Sequence, residues 1–387
     1  MPHAASYSIL LFIMHYFFEQ IPRLIPYLLL LLLYLSLSVL GKLLNSKLLN
    51  IVAIVCLIAF VGFSAIMSSD WGRYRTAYES IQSAPFYSFE PSFIIISSAL
   101  NYFNLSYHIL FTVYAAITFY FLYNGAINFT DSADLPILLY LLIPGFFLNL
   151  FVELRQGASV AIAFYATSLL FKHGFKSKKY VITIYAALSI LFHYSALIYW
   201  LVLLLSRKIT NKAHARITYV ITVVASMAIP TSFLIAIIYK TIYPFLIQKY
   251  QSYVDLFMYT TGSLAESGQL LKDAAYFIIA MVFILWKYNR EAEFSKIIRP
   301  INLFIYGVIL LNLLSAMSDL SRVAYYFLIY QIVIWPSVIR SIDNKFSRWL
   351  TTCAVNAVYF AQFTLGAYYL SEETGTHIFL HYKLFFL

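Results

Sequence analysis

The chain has little charge. Of its 387 residues only 11% are Asp, Glu, Lys or Arg, against about 25% in a soluble domain, which excludes an ordinary soluble fold. It has only 2 cysteines; Cys56 and Cys353 both fall in apolar runs and provide neither a disulfide framework nor a metal site. There is no HExxH, no DxD on an outward loop and no Cys/His cluster at ligand spacing, so neither a metal nor another cofactor is expected. No stretch between apolar runs exceeds about 40 residues, too short for an independent soluble core. The net charge of +10 is not gathered into a patch. The basic residues punctuate the apolar runs instead, and nucleic acid is excluded as a partner.

What fills the chain is apolar: 62% of residues are hydrophobic. Several windows exceed the roughly 18 apolar residues that cross a bilayer. Backbone in lipid must satisfy its own hydrogen bonds and no alternating pattern is present, so the spans are helices. The expected fold is all-α, a polytopic integral membrane protein with about 12 transmembrane helices, some short or broken. We read them at 24–40, 49–67, 106–124, 134–150, 158–172, 180–192, 196–206, 217–239, 272–287, 300–317, 323–340 and 349–370. Residues 1–387 form a single transmembrane domain, with outer loops at 68–105 and 240–271. A helical apolar piece lies within the first loop at 92–103. Residues 1–21 read as an extra span, an interfacial helix or an upstream extension of the first span. They lack the basic start and small-residue cleavage site of a signal peptide.

Basic residues collect in alternate loops: Lys42 and Lys47; Lys172, Lys176, Lys178 and Lys179; Arg207, Lys208, Lys212 and Arg216; Lys287, Arg290, Lys296 and Arg299; Arg340, Lys345 and Arg348. These loops are expected to be cytoplasmic. The loop from Asn124 to Asp134 has no Lys or Arg, and its side follows from parity alone. Residues 180–206 look like one long helix, yet a cationic cluster lies at each end. A single crossing would put one cluster outside. Two short helices meeting near His193 keep both inside, and broken helices of this kind build binding sites.

Ionisable residues in such a chain are costly and mark places where polar ligands are handled. Glu153-Leu-Arg-Gln-Gly157 and Phe192-His193-Tyr194-Ser195 interrupt apolar runs. Arg155 cannot discard its charge. Arg73, Arg75, Arg155 and Arg322 lie where spans reach the outer face, and guanidinium groups suit a lipid diphosphate because their donors match phosphate oxygens in pairs. The competing assignment is local pairing, Arg155 with Glu153 and Arg322 with Asp319. Asp70, Tyr74 and Tyr78 share one helical face, and Pro91 after Glu90 marks a helix start. Asp70 and Glu90 are candidate bases for a sugar hydroxyl; Asp70 is equally suited to capping a helix. His193 suits a general base or a proton donor, or a hydrogen-bonded packing role.

Asp70 with Tyr74, Glu90-Pro91, Arg155-Gln156-Gly157, Phe192-His193-Tyr194-Ser195 and Arg322 with Tyr325-Tyr326 occur in this order over roughly residues 24–340. Together they resemble the EpsG family of bacterial polysaccharide polymerases, which includes many Wzy-type O-antigen polymerases. The resemblance implies a GT-C-like glycosyltransferase of the bacterial inner membrane with its active site facing the periplasm. It would move a growing glycan from undecaprenyl diphosphate onto a lipid-linked repeat unit, in O-antigen or exopolysaccharide biosynthesis. The implied partners are undecaprenyl-diphosphate-linked glycans and membrane lipids, with a chain-length regulator and a flippase of the same pathway. On this reading His193, Asp70 or Glu90 takes the proton, and Arg155, Arg322, Gln156 and Arg73 hold the diphosphate. Glu153, Gly157, Tyr74, Ser195 and Tyr326 support them, Gly157 by allowing close backbone approach. The alternatives are a lipid-linked oligosaccharide flippase, which needs no base, and an O-antigen ligase, which differs in acceptor. A membrane O-acyltransferase is a more distant third.

Overall fold

The computed structural model describes residues 24–64, 69–82, 89–205, 291–314 and 318–373, with the single positions 224, 276, 279, 282 and 382. The expected spans at 217–239 and 272–287, the second outer loop and residues 1–21 lie outside these segments, save for those single positions. Among the described residues the chain is helical with no β-strand. Three helices are long and apolar enough to cross a membrane: Leu24–Leu43, Tyr107–Thr130 and Arg322–Arg340. The bent pair Asp134–Leu142 and Pro144–Phe151 makes a fourth if counted as one span.

The described residues fall into two compact units, one running up to His193 and resuming at Thr352, the other from Tyr194 to Thr351. The first contains α1 (Leu24–Leu43), α2 (Lys47–Gly62), α3 (Ser69–Glu79), α4 (Pro91–Tyr102), α5 (Tyr107–Thr130), α6 (Asp134–Leu142), α7 (Pro144–Phe147), α8 (Leu154–His173) and α9 (Phe175–Phe192). A 3-10 turn, Leu148–Phe151, follows α7.

Its core is the stack of α2, α5, α8 and α9. Small residues set the spacing. A Cβ on Gly62 would lie 2.7 Å from the Thr112 Cα, and one on Gly125 2.6 Å from the Phe164 ring. Gly174, at φ 75°, adopts a conformation open mainly to glycine and turns α8 back into α9. The Ser159 hydroxyl then donates to the Ser189 carbonyl at 2.6 Å, joining the start of α8 to the end of α9.

This antiparallel arrangement gives the unit two distinct ends. At one, Lys42 pairs with Asp134 at 2.8 Å, Tyr34 donates to the Asp134 carbonyl, and Lys172 donates to Asn128 at 3.2 Å. The basic loops after α1 and α8 and the uncharged-by-Lys loop after α5 therefore meet at that end. The starts of α5 and α8 and the end of α9 lie at the other, about 30 Å away along the 20 residues of α8. Leu29, Val55 and Ile184 stay exposed on the outside of these helices, as lipid-facing residues do.

Residues 134–150, expected as one span, are instead bent by 85°. Pro144 disfavours helix at the preceding residue, and Ile143 is accordingly extended at φ −93°, ψ 106°. Helix α8 begins at Leu154, earlier than the expected 158, which places Arg155-Gln156-Gly157 in its first turn. The expected break near His193 is present: α9 ends at Phe192, His193 is extended at φ −158°, ψ 124°, and helix resumes at Ala196.

The second unit contains α10 (Ala196–Leu205), α11 (Glu291–Leu313), α12 (Ser318–Ser321), a 3-10 turn Arg322–Ala324, α13 (Tyr325–Leu328), α14 (Gln331–Arg340) and the first residues of α15 (Lys345–Glu373). The expected span over 323–340 is present as Arg322–Arg340, with 3-10 and turn geometry in its first half. Gly307 lets α11 close onto α13, since a Cβ there would sit 2.8 Å from the Leu328 amide nitrogen. Hydroxyls link α10 to this broken region: Tyr199 and Tyr330 meet at 2.6 Å, and Ser195 donates to the Tyr326 oxygen at 3.2 Å.

Candidate functional site

The site is assembled at the end of the first unit away from the basic loops. Helix α4 supplies Glu90. Pro91 lacks an amide hydrogen, which the first helical position does not need, so the helix starts there with Glu90 as its cap residue. The Glu90 carboxylate makes no capping hydrogen bond to its own helix. It turns instead toward α8 and the end of α9.

Helix α8 supplies Arg155 in its first turn. A cation is disfavoured there, because the exposed amides carry partial positive charge. Glu90 offsets this: its Oε2 forms an ion pair with Arg155 Nη1. The guanidinium also lies over two aromatic rings, 4.6 Å from the Phe89 centroid and 5.5 Å from that of Tyr74. Its Nε donates to the Tyr74 hydroxyl at 3.5 Å. Burial pushes the Tyr74 hydroxyl above the ordinary tyrosine range, and Arg155 acts in the opposite direction.

His193 is supplied by the helix break, at the C-terminal end of α9, where positive charge is favoured. Its Nε2 lies 3.8 Å from Glu90 Oε1. That is close enough for charge attraction and too long for a hydrogen bond. Side-chain exposure rises from 7% at Glu90 to 18% at Arg155 and 28% at His193. One buried carboxylate therefore stands between a guanidinium and an imidazole that both reach toward the surface.

The other candidates occupy different surroundings. Asp70, in the first turn of α3, pairs with Arg73 at 3.3 Å, and Arg73 is largely exposed. Arg75 pairs with Glu79 at 2.8 Å and lies over the Tyr107 ring. Glu153 is half-buried at the start of α8, and Gln156 is buried. Gly157 faces the tip of Leu150, which a Cβ would approach to 2.4 Å. Arg322, Ser195 and Tyr326 belong to the second unit, Arg322 half-buried at the head of the 3-10 turn.

The sequence reading left out Phe89, which stacks on Phe93 at 4.3 Å and carries the guanidinium of Arg155. Its signal was an aromatic residue directly before Glu90-Pro91. It also left out the Ser92–Tyr114 hydroxyl contact at 3.3 Å, just behind Glu90. Among the described residues no three His, Cys, Asp or Glu side chains gather as a metal site would.

No curated protein and no solved structure matches the chain. Residues 47–384 match the EpsG family, starting later and running further than the ordered motifs in the sequence suggest. That match takes in α2 to α15 and each of Glu90, Arg155 and His193. The chain therefore belongs to the EpsG family.

Proposed function

We propose that this chain is a polysaccharide polymerase that transfers a growing glycan from undecaprenyl diphosphate onto a lipid-linked repeat unit at the periplasmic face of the inner membrane. Membership of the EpsG family makes it a membrane protein of the polysaccharide-polymerase type; donor, acceptor, side and site are our reading. The observation that carries it is the Glu90–Arg155–His193 cluster, placed at the end of the unit opposite the basic loops. Basic loops mark the cytoplasmic side of membrane proteins, which supports reading the cluster as facing the outside. About 12 spans and a GT-C-like arrangement belong to the same proposal.

In the reaction, an acceptor hydroxyl oxygen bonds to the anomeric carbon of the donor glycan. The bond from that carbon to the diphosphate oxygen breaks, and its electron pair leaves with the lipid diphosphate. Arg155 stabilises the charge that builds on the leaving group. The hydroxyl proton passes to His193, on the ring nitrogen turned away from Glu90. Glu90 holds the ring and balances the imidazolium, as the carboxylate does in a carboxylate–histidine pair. We assign the base to His193 because an imidazole changes charge near neutrality and its side chain is more exposed than that of Glu90.

The test is elongation by the purified chain in proteoliposomes supplied with lipid-linked repeat units. Wild type lengthens the glycan, and His193→Ala and Arg155→Ala each reduce the rate by about 100-fold or more. Arg322→Ala in the same assay tests the role expected of that residue separately. No lengthening by wild type, with glycan moved intact across the membrane or joined to a different acceptor, would replace the polymerase by a flippase or a ligase. Normal lengthening by both variants would overturn the site.

A further inference from the structure

We infer that Tyr114 is a positioning residue: from α5 it grips the first turn of α4 with its hydroxyl and the end of α9 with its ring, and so sets the separation between Glu90 and His193. This rests on the polymerase reading for the reaction that the separation serves, and goes beyond it in naming what holds the two groups in place.

Glu90 and His193 are supplied by different helices, with 3.8 Å between Oε1 and Nε2, so the gap is set by how α4 docks beside the end of α9. Helix α4 packs against α3, α5 and α9, but of its three buried residues, Ser92, Phe93 and Ser97, two are serines. A short helix that turns so little apolar surface inward is located by specific contacts as much as by burial. Ser92 supplies one of them: its hydroxyl and that of Tyr114 share a buried hydrogen bond at 3.3 Å. Ser92 lies two residues past Glu90, and the two belong to the cap and first turn of α4. A shift of that turn therefore carries the carboxylate with it. On its other side the Tyr114 ring meets Phe192 edge-on at 5.6 Å, and Phe192 is the last residue of α9 before the break at His193. One side chain thus holds the immediate neighbours of both groups. Tyr114 is a good fixed point for them, because it is 1% exposed and stands on α5, which packs against both α2 and α8. Its hydroxyl is kept on Ser92 because a buried hydroxyl without a partner is costly. The ring contact alone would leave α4 unplaced, and the hydroxyl contact alone would leave α9 unplaced.

The experiment measures the gap directly, by solid-state NMR of the full chain in proteoliposomes. The dipolar coupling is read between 13C in the glutamate carboxyls and 15N in the histidine rings, and the Glu90–His193 signal is assigned by its loss in Glu90→Gln and in His193→Gln. Wild type shows the coupling. Tyr114→Phe, which removes only the hydroxyl, weakens it, and Ser92→Ala, which removes the other end of the same bond, weakens it as well. In elongation assays each variant lowers kcat by about 10-fold or more and leaves KM for the repeat unit unchanged, as a displaced reacting group does. The double variant is no slower than the slower single, since there is one link to lose. An unchanged coupling in both single variants overturns the assignment, even if both unfold at a lower temperature, because the bond is then structural only. No coupling in wild type, an unchanged kcat despite a weakened coupling, or losses that multiply in the double variant also overturn it. If wild type does not lengthen the glycan, the polymerase reading falls, and the coupling still decides whether Tyr114 sets the gap.

Discussion

Glu90 and Arg155 illustrate how a buried pair constrains a membrane-edge site. Removing one partner leaves the other charged where water is scarce, at a cost of ~3–5 kcal/mol for a buried pair; Arg155 keeps 18% side-chain exposure, which places it at the low end. Arg155→Gln should therefore lower the unfolding midpoint in detergent more than the double variant Glu90→Gln/Arg155→Gln does, although the double variant is inactive. A double variant less stable than the single would mean that the pair is not what holds Arg155. At this scale the sequence was partly readable. Arg155 and His193 stood out because charge and polarity are rare in apolar runs, and Glu90 because Pro91 announces a helix. Which of them meet was not readable, because Glu90 and Arg155 are brought together by the packing of α4 and α8 around α5 rather than by any spacing. The guanidinium's contact with Phe89 was hidden for the same reason, among 34 Phe and 34 Tyr that look alike in sequence.

Helices are separated here by glycines whose neighbours differ in how far they can give way. At Gly62 and Gly307 the atoms in the path of a Cβ include backbone, the Thr112 Cα at 2.7 Å and the Leu328 nitrogen at 2.8 Å. At Gly157 the obstacle is the end of the Leu150 side chain, which can change rotamer. Gly62→Ala and Gly307→Ala are expected to destabilise by ~1–3 kcal/mol each, the usual penalty of overpacking, and Gly157→Ala by clearly less. Thermal unfolding followed by size exclusion ranks the three. Loss of elongation in Gly157→Ala without loss of stability would favour the role expected from the sequence, a backbone that a substrate approaches closely. Element ends were legible where a residue has a mechanism for ending a helix. Pro91 starts α4 as read, and the charge clusters flanking 180–206 located the break at His193. The bend at Ile143 had its signal in Pro144-Gly145, but the apolar run on either side outweighed it. The 3-10 and turn geometry in the first half of Arg322–Arg340 has no such residue at its start, and it goes with the packing of α11 against α13 and α14.

Sidedness is a property of the whole chain, and it follows from charge that no single helix reveals. In the first unit the Lys42–Asp134 and Lys172–Asn128 contacts gather three loops at one end, including the loop after α5 that has no basic residue to declare its side. The alternation of basic loops was legible in the sequence, and contact supplies the side of the silent loop. If the basic end is cytoplasmic, α3 and the Glu90 cluster are outside. A cysteine at position 73 should then be reached from the outside and one at position 178 should not. Both positions are exposed, and Arg73 loses only a surface pair with Asp70 on substitution, worth about 1 kcal/mol or less. With Cys56 and Cys353 replaced by Ser, Arg73→Cys in spheroplasts is expected to react with a membrane-impermeant maleimide within the time that Lys178→Cys stays unlabelled. Lysing the spheroplasts should then expose Lys178→Cys. The reverse order of labelling would turn the unit over and place Arg155 and His193 at the cytoplasmic face. There, a donor that has already crossed the membrane could not reach them, and the periplasmic assignment would fall even if the chain proved to be a polymerase.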